Sequence, residues 1–122
     1  MKRDLDLVRK IIVHLQDRDS ESDLDPVEIE GYSSKIISYH LGQMYNAGLI
    51  DAIRYEGEDH SIWLAKDLTW AGHDLADLFK SESLWSQAKK AINDAVGTVT
   101  LEALRFILNE ALNGRLQNYF KL

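Results

Sequence analysis

One stretch of this 122-residue chain constrains its fold more than any other, Tyr32–Ile50, with the sequence YSSKIISYHLGQMYNAGLI. Three of its apolar residues recur at helical spacing and predict one buried helix face: Ile37, Leu41 and Met44. Ser33 or Ser34 predicts the helix start, because a serine hydroxyl accepts a free N–H group of the first turn. The stretch is therefore expected to form a helix that packs by one side.

A second face of this helix is polar, and its members are Lys35, Ser38, Tyr39, Gly42 and Asn46. Lys35, Ser38 and Tyr39 are suited to phosphates or base edges. Gln43 and Asn46 carry amides with the geometry to recognise adenine. Gly42 would let another backbone approach closely.

The helix is expected to end at Asn46-Ala47-Gly48, because Gly48 is placed to adopt the left-handed conformation and Leu49 to pack back on the last turn. A hairpin is predicted directly afterwards, over Ile50–Leu64, with Gly57 supplying a positive φ at its tip. A helix that runs straight into a hairpin is the usual outline of a winged helix. The sequence therefore predicts an α+β, winged-helix-like domain with C-terminal helices, in which the helix over residues 33–46 is the recognition helix.

The segments around this centre complete the expected domain. Asp4–Gln16 has the pattern of an amphipathic helix, and Val27–Ile29 predicts a short strand after Pro26. Glu30-Gly31-Tyr32 then leaves room for no more than a turn where a winged helix usually has another helix.

Three further helices are expected towards the C-terminus. Their predicted N-caps are Thr69, Ser83 and Thr100, and Gly114 is expected to end the last one. Residues 1–80 are expected to form the winged-helix-like core of what is overall a single domain. Residues 81–122 either pack on that core or form a homodimer contact.

The net charge of −6, from 14 Lys and Arg against 20 Asp and Glu, opposes a simple nucleic-acid-binding role. Nucleic-acid binders gain much of their affinity by neutralising phosphates. The predicted hairpin tip carries three acids, and Arg54 and His60 are its local counterweight. The acidic residues 17–25 are expected to form a solvated loop rather than a calcium site, because the central glycine and closing Glu of an EF-hand are absent.

Enzyme motifs are absent, so we expect a non-enzymatic protein without cofactor or metal. The four histidines form no metal-binding spacing, and no GxSxG, GxGxxG or GxxxxGK[ST] sequence occurs. His40 is expected to be a hydrogen-bonded structural residue, and Trp63, Trp70 and Trp85 to fill the core, although the place of Trp63 on the wing strand also allows partial exposure. The chain has no cysteine, a charged start and no apolar run of membrane-spanning length, which predicts a cytoplasmic protein without a membrane segment.

Four segments resemble a known family of small uncharacterised proteins from bacteria, phages and prophages: the start MKRDLDLVR, then Glu30-Gly31-Tyr32-Ser33, then Ser38-Tyr39-His40-Leu41 with Ala47-Gly48-Leu49-Ile50, and Leu68-Thr69-Trp70-Ala71-Gly72-His73. The similarity extends from the first residue into the helix that holds Trp85. The family is classed as a domain of unknown function, so the resemblance implies no catalytic or binding residue. It implies a bacterial or phage cytoplasmic setting and a winged-helix-like domain.

Two functions follow from these features. The first is a DNA-binding transcriptional regulator that contacts duplex DNA through six residues: Lys35, Ser38, Tyr39, Gln43, Asn46 and Arg54. The alternative is a winged-helix scaffold that binds another protein, as a phage protein would bind a host protein. The acidic surface and the acidic wing tip favour this alternative. A positive patch around Lys35 would favour DNA, and an exposed apolar patch would favour a protein.

Overall fold

The computed structural model describes residues 2–18, 25–58, 60–94 and 100–114. Within these ranges the chain forms five helices and one antiparallel hairpin, an α+β arrangement compatible with a winged-helix-like fold. The elements in order are α1 (Leu5–Asp17), α2 (Ser34–Asn46), β1 (Ile50–Glu56), β2 (Ser61–Leu68), α3 (Trp70–Phe79), α4 (Glu82–Asp94) and α5 (Leu101–Leu112). The chain divides into two compact units, Met1–Ala76 and Asp77–Leu122.

The predicted first helix is confirmed as α1. Asp4 caps it, because its carboxylate accepts the Leu7 N–H at 3.1 Å. The apolar positions recur at helical spacing and are buried: Leu7, Val8, Ile11, Ile12 and Leu15. Burying each such side chain contributes about 1.5–3 kcal/mol, so this face is a large part of the first unit's core.

The predicted stop of α2 is also confirmed. Gly48 has a φ of 77° and donates its N–H to the Tyr45 carbonyl at 3.0 Å. The Leu49 N–H donates to the Met44 carbonyl at 3.0 Å, and the Leu49 side chain is buried. This pair of bonds is a Schellman motif, which satisfies the last carbonyls of the helix and turns the chain into β1.

The hairpin forms as predicted but is longer at its inner end, since β2 continues to Leu68 rather than Leu64. Its register runs from Ile50 opposite Leu68 to Glu56 opposite Ser61. The register shifts between Asp51 and Ala52, so that β2 contains one unpaired bulge residue, Lys66.

The predicted positive φ of Gly57 is wrong, since the described glycines with a positive φ are Gly31, Gly48 and Gly114. Gly57 donates its N–H to the His60 carbonyl at 2.8 Å. A Cβ on Gly57 would lie only 2.8 Å from the same oxygen. Close approach of the two chain segments therefore explains this glycine, rather than a left-handed turn.

The predicted strand over Val27–Ile29 is also wrong, because these residues form no strand. Val27 is buried, as the alternating pattern required. The chain instead turns at Gly31, where the Tyr32 N–H donates to the Ile29 carbonyl at 3.2 Å. A strand needs a partner edge, and in the described part of the chain β1 and β2 pair only with each other.

Four residues lock the end of α2 against the start of α3, and we refer to Gly48, Leu49, Thr69 and Gly72 as the α2–α3 junction. The Thr69 hydroxyl accepts the Gly72 N–H at 3.1 Å, which confirms Thr69 as the cap of α3. The same hydroxyl donates to the Gly48 carbonyl at 2.6 Å, and the Thr69 N–H donates to the Leu49 carbonyl at 3.0 Å. A Cβ at Gly72 would overlap the Leu49 carbonyl oxygen, so only glycine allows this approach.

In the second unit α4 and α5 contact each other. Ser81 caps α4 by accepting the Leu84 N–H at 3.1 Å, so the predicted cap at Ser83 is wrong by two residues. Thr100 caps α5 as predicted, accepting the Ala103 N–H at 3.1 Å. Gly114, with a φ of 69°, follows its last turn.

The core of the second unit lies between these helices. The Phe79 and Trp85 rings meet edge to face, with centroids 5.3 Å apart. The other buried apolar side chains come from both helices: Ala88, Ala91, Leu104, Ile107, Leu108 and Ala111. Leu112, in the last turn of α5, is 58% exposed. Residues 95–99 and 115–122, which belong to the segment expected to pack on the core or form a homodimer contact, lie outside the described residues.

Candidate nucleic-acid interface

The N-terminal half of α2 is held against α1 by a buried histidine. Ser33 caps α2, since its hydroxyl accepts the Ile36 N–H at 3.3 Å. His40 is 2% exposed and its Nε2 accepts the Asp4 N–H at 2.9 Å, so the ring proton lies on Nδ1 and donates to the Ile36 carbonyl at 2.9 Å. The expectation of a hydrogen-bonded structural histidine is confirmed, and the orientation of α2 on α1 depends on this bridge.

A second side of α2 faces the hairpin and carries two of the residues that the sequence placed on the polar face. Ser38 accepts the Trp63 N–H of β2 at 2.9 Å. Gly42 is buried under the Trp63 indole, and a Cβ there would lie 2.5 Å from Nε1. Tyr45 continues this side, with its ring centroid 5.3 Å from that of Trp63. Gly42 therefore admits the indole of the same chain, which corrects the expectation that it admits an approaching backbone.

The remaining side of α2 is exposed and carries four of the six predicted contact residues: Lys35, Tyr39, Gln43 and Asn46. We call this set the open face. Three of its side chains are exposed and Tyr39 is half-buried. Lys35 makes no ion pair with any residue that the structure describes. The sequence pattern therefore identified an exposed polar face, but it also assigned Ser38 and Gly42 to that face. The hairpin covers these two residues.

A groove of about 530 Å³ runs between the N-terminal half of α2 and β2. Its lining residues come from α2, from β2 and from the residue just before β2: Ser34, Lys35, Ser38, Tyr39, His60, Ser61, Ile62 and Trp63. Three predicted contact residues thus meet here, whereas Gln43, Asn46 and Arg54 do not line it. Ser61, Ile62 and Trp63 of β2 were not predicted to form a site, and the signal that identifies them is the hairpin register rather than any local motif.

The electrostatics of the hairpin do not form the positive patch that would favour DNA. Arg54 pairs with Glu56 at 3.1 Å and also donates to the Ser61 hydroxyl at 3.1 Å. Lys66 pairs with Asp51 at 3.8 Å. Both cations of the described hairpin residues therefore have a carboxylate beside them, although such exposed pairs contribute little energy and exchange partners readily.

Trp70 corrects the expectation that all three tryptophans fill the core. It is the first residue of α3, adjacent to the α2–α3 junction, and is 86% exposed. Trp85 is buried as expected, and Trp63 is partly exposed beside α2. Tyr55 on β1 is a second exposed aromatic residue, at 60%.

Within the described ranges, the structure contains neither a cluster of metal-binding side chains nor a membrane-spanning helix. Those residues contain no group of three or more histidine or acidic side chains placed to hold a metal ion. In the same ranges, no helix has both the length and the apolar character needed to cross a membrane.

Residues 2–98 match the family described as "Hypothetical protein (DUF2513)". The chain belongs to this family. An uncharacterized protein of Haemophilus influenzae is 31% identical over 117 residues, which cover 95% of this chain and 99% of that relative. The resemblance to an uncharacterised family is thereby confirmed. No solved structure matches the chain.

Proposed function

We propose that the first unit of this DUF2513 protein is a winged-helix-like module that contacts double-stranded DNA through the open face of α2, as a transcriptional regulator in a bacterial or phage cytoplasm. The supporting observation is that Lys35, Gln43 and Asn46 are exposed on one side of α2, with half-buried Tyr39 among them. The hairpin that would act as the wing lies directly beside that side. Packing against α1 and β2 leaves these polar groups accessible.

The dimensions of the open face suit a groove of duplex DNA. Lys35 and Asn46 are separated by 11 positions, and a helix rises about 1.5 Å per residue, so the face is roughly 16 Å long. The major groove is about 12 Å wide and admits a helix. In this pose Gln43 and Asn46 present amides to adenine, while Lys35 and Tyr39 contact phosphates. Arg54 would join them only by exchanging Glu56 for a phosphate.

The charges of the open face predict that DNA affinity depends only weakly on salt concentration. Each phosphate neutralised contributes a slope of about −0.9 in log K against log salt. With Lys35 as its one cation and Arg54 already paired, a slope between about −1 and −2 is expected. A regulator with this face relies on its amide contacts for specificity more than on charge for affinity.

Fluorescence anisotropy with a pool of random duplex DNA tests the proposal. At low salt the wild-type chain is expected to bind, and binding should weaken as salt rises. Lys35→Ala combined with Tyr39→Ala should reduce affinity, and Lys35→Ala alone should reduce the magnitude of the salt slope by about one. Lys90→Ala, which removes an exposed lysine of α4 in the second unit, serves as the matched control. Absence of binding at micromolar protein in low salt would refute the proposal.

A protein-binding scaffold is the second candidate, and a specific observation favours it. The hairpin cations are paired with carboxylates, whereas Trp70 is exposed beside the α2–α3 junction. Exposed tryptophans are frequent anchors of protein interfaces. The partner is then a host protein, or a second copy in a homodimer through exposed Phe106 and Leu112 of α5.

The second candidate is tested by affinity capture with wild-type protein and with Trp70→Ala. A stoichiometric partner that is retained by the wild-type chain and lost from the variant supports it. Sedimentation of the full chain, with and without Leu112→Asp, tests the homodimer. A monomer that captures no stoichiometric partner would leave this candidate without support.

A further inference from the structure

The groove between α2 and β2 differs in charge from the chain that contains it. The protein carries 20 acidic residues and a net charge of −6. None of the eight residues that line the groove is acidic, and two of them are Lys35 and His60. A groove that has no carboxylate and has a lysine in its lining is complementary to an anion, even in an acidic chain.

The polar groups of the groove are chiefly hydrogen-bond donors. The Ser61 hydroxyl already accepts from Arg54, so its own O–H is left to donate. The Ser38 hydroxyl accepts from the Trp63 N–H in the same way. Ser34 and Lys35 lie in the first turn of a 13-residue helix, where backbone N–H groups lack helical partners. Several donors around one ammonium group suit a phosphate.

The remaining surface of the groove is aromatic and apolar. Ile62 and Trp63 contribute from β2, and Tyr39 contributes from α2. A planar ring stacks on such side chains with little dependence on its identity. The volume of about 530 Å³ lies within the usual range for small-molecule sites, about 300–1,000 Å³.

We propose that this groove binds a nucleoside monophosphate, with the phosphate at Lys35 and the base against Trp63 and Tyr39. The site shares Lys35 and Tyr39 with the open face but requires no duplex, so it goes beyond the proposed DNA contact. A bound nucleotide occupies the angle between α2 and the hairpin. It would therefore compete with any DNA that uses both elements.

The test is an NMR titration of the full-length, ¹⁵N-labelled chain with AMP. Saturable shifts are expected for the Trp63 indole N–H and for the backbone N–H groups of Ser34, Lys35 and Ile62. Trp70→Phe removes one of the three indole signals and so assists their assignment without altering the groove. The absence of a saturable shift up to about 10 mM AMP would mean a dissociation constant above the millimolar range. That result overturns the proposal.

Two lysine variants locate the phosphate. Lys35→Ala should weaken AMP binding about tenfold, the loss expected for one charge-assisted contact. Lys66→Ala removes a lysine of β2 that does not line the groove, and it should leave affinity for AMP unchanged. Equal affinity for wild type and Lys35→Ala contradicts the assignment.

Two half-ligands locate the base. Adenosine and inorganic phosphate should each bind more weakly than AMP. Phosphate binding as tight as AMP would show a bare anion site and overturn the nucleotide proposal. Adenosine binding as tight as AMP would remove the role of Lys35.

A pair of substitutions separates this inference from the DNA proposal. Gln43→Ala with Asn46→Ala changes the open face outside the groove. This double variant should bind DNA more weakly and AMP as before. A chain that binds AMP but no duplex would refute the DNA function and leave the nucleotide site standing, and the reverse outcome would do the opposite.

Discussion

The hairpin-facing side and the open side of α2 lie next to each other on one helix. Residues of the first side pack against β2, whereas residues of the second are exposed. On the hairpin-facing side the Ser38 hydroxyl accepts the backbone N–H of Trp63. Gly42 leaves room for the indole of the same tryptophan. On the open side Gln43 and Asn46 touch neither α1 nor β2 closely enough to be buried. Polar or small residues alone do not distinguish the two sides. What does is the position of Trp63, a residue 21 positions after Gly42 in the sequence.

A polar helix face is accessible to a binding partner only where packing leaves it uncovered. The hairpin-facing side should respond to substitution in stability, and the open side should respond in binding alone. Four sets of substitutions test this division.

The largest effect is expected at the α2–α3 junction, which fixes the end of the packed helix. In Gly72→Ala the new Cβ overlaps the Leu49 carbonyl, and backbone has little freedom to move away. We expect a loss of about 3 kcal/mol or more in the free energy of unfolding, measured by urea denaturation. His73→Ala, one residue along the exposed side of α3, is the control and should change stability by less than about 0.5 kcal/mol. Comparable values for the two variants would mean that the junction is not close-packed.

A smaller loss is expected when the contact between α2 and α1 is broken at His40. His40→Leu keeps an apolar volume but leaves the Asp4 N–H without its acceptor. An unsatisfied buried donor costs about 1–3 kcal/mol, and urea denaturation measures it. His40→Gln retains an acceptor and should recover part of the loss. An equal loss of stability in His40→Gln and His40→Leu would assign the effect to side-chain volume rather than to hydrogen bonding.

Gly42→Ala tests the hairpin-facing side through the sign of its effect. On an exposed helix this change stabilises by about 1 kcal/mol, because alanine has the higher helix propensity. Here the Cβ would press on the Trp63 indole, so we expect a net destabilisation of about 1–2 kcal/mol. The wavelength of tryptophan emission should also change, because the substitution displaces the Trp63 indole. A stabilised variant would contradict the close packing of Gly42 against the Trp63 indole.

The smallest stability effect is expected on the open face. Gln43→Ala and Asn46→Ala remove exposed side chains, and each should alter the free energy of unfolding by less than about 0.5 kcal/mol. DNA affinity should nevertheless fall by about 1–3 kcal/mol for each amide that reads a base. Anisotropy and urea denaturation on the same samples separate the two quantities. A loss of stability that parallels the loss of binding would remove the distinction between the sides.

Local chemistry made much of this fold predictable from the sequence. Ser33, Thr69 and Thr100 cap helices that they immediately precede, and Gly48 ends one by adopting a left-handed conformation. Each of these roles depends on hydrogen bonds within a few residues. The hairpin was predictable for the same reason, since its strands are adjacent in the chain.

Two errors are local, the cap predicted at Ser83 and the φ predicted for Gly57, and the others concern contacts between distant residues. The exposure of Trp70 and the burial of Gly42 are set by which elements meet, and periodicity within one segment carries no information on that. Val27 alternates like a strand residue and is buried, yet no edge is available for it to pair with. For the candidate site, the polar residues of α2 were identifiable in advance, whereas the β2 wall of the groove required the register of the hairpin.

The α2–α3 junction also has a consequence for the order of folding. It joins Gly48 to Thr69, so it closes a loop that contains the whole hairpin and little else. Contacts that close short loops have a low entropic cost and tend to form early. We therefore expect the stretch from α2 to the first turn of α3 to act as the folding nucleus, with α1 docking afterwards. In φ-value terms, Thr69→Ala should slow folding in proportion to its loss of stability, whereas Ile12→Val should mainly accelerate unfolding.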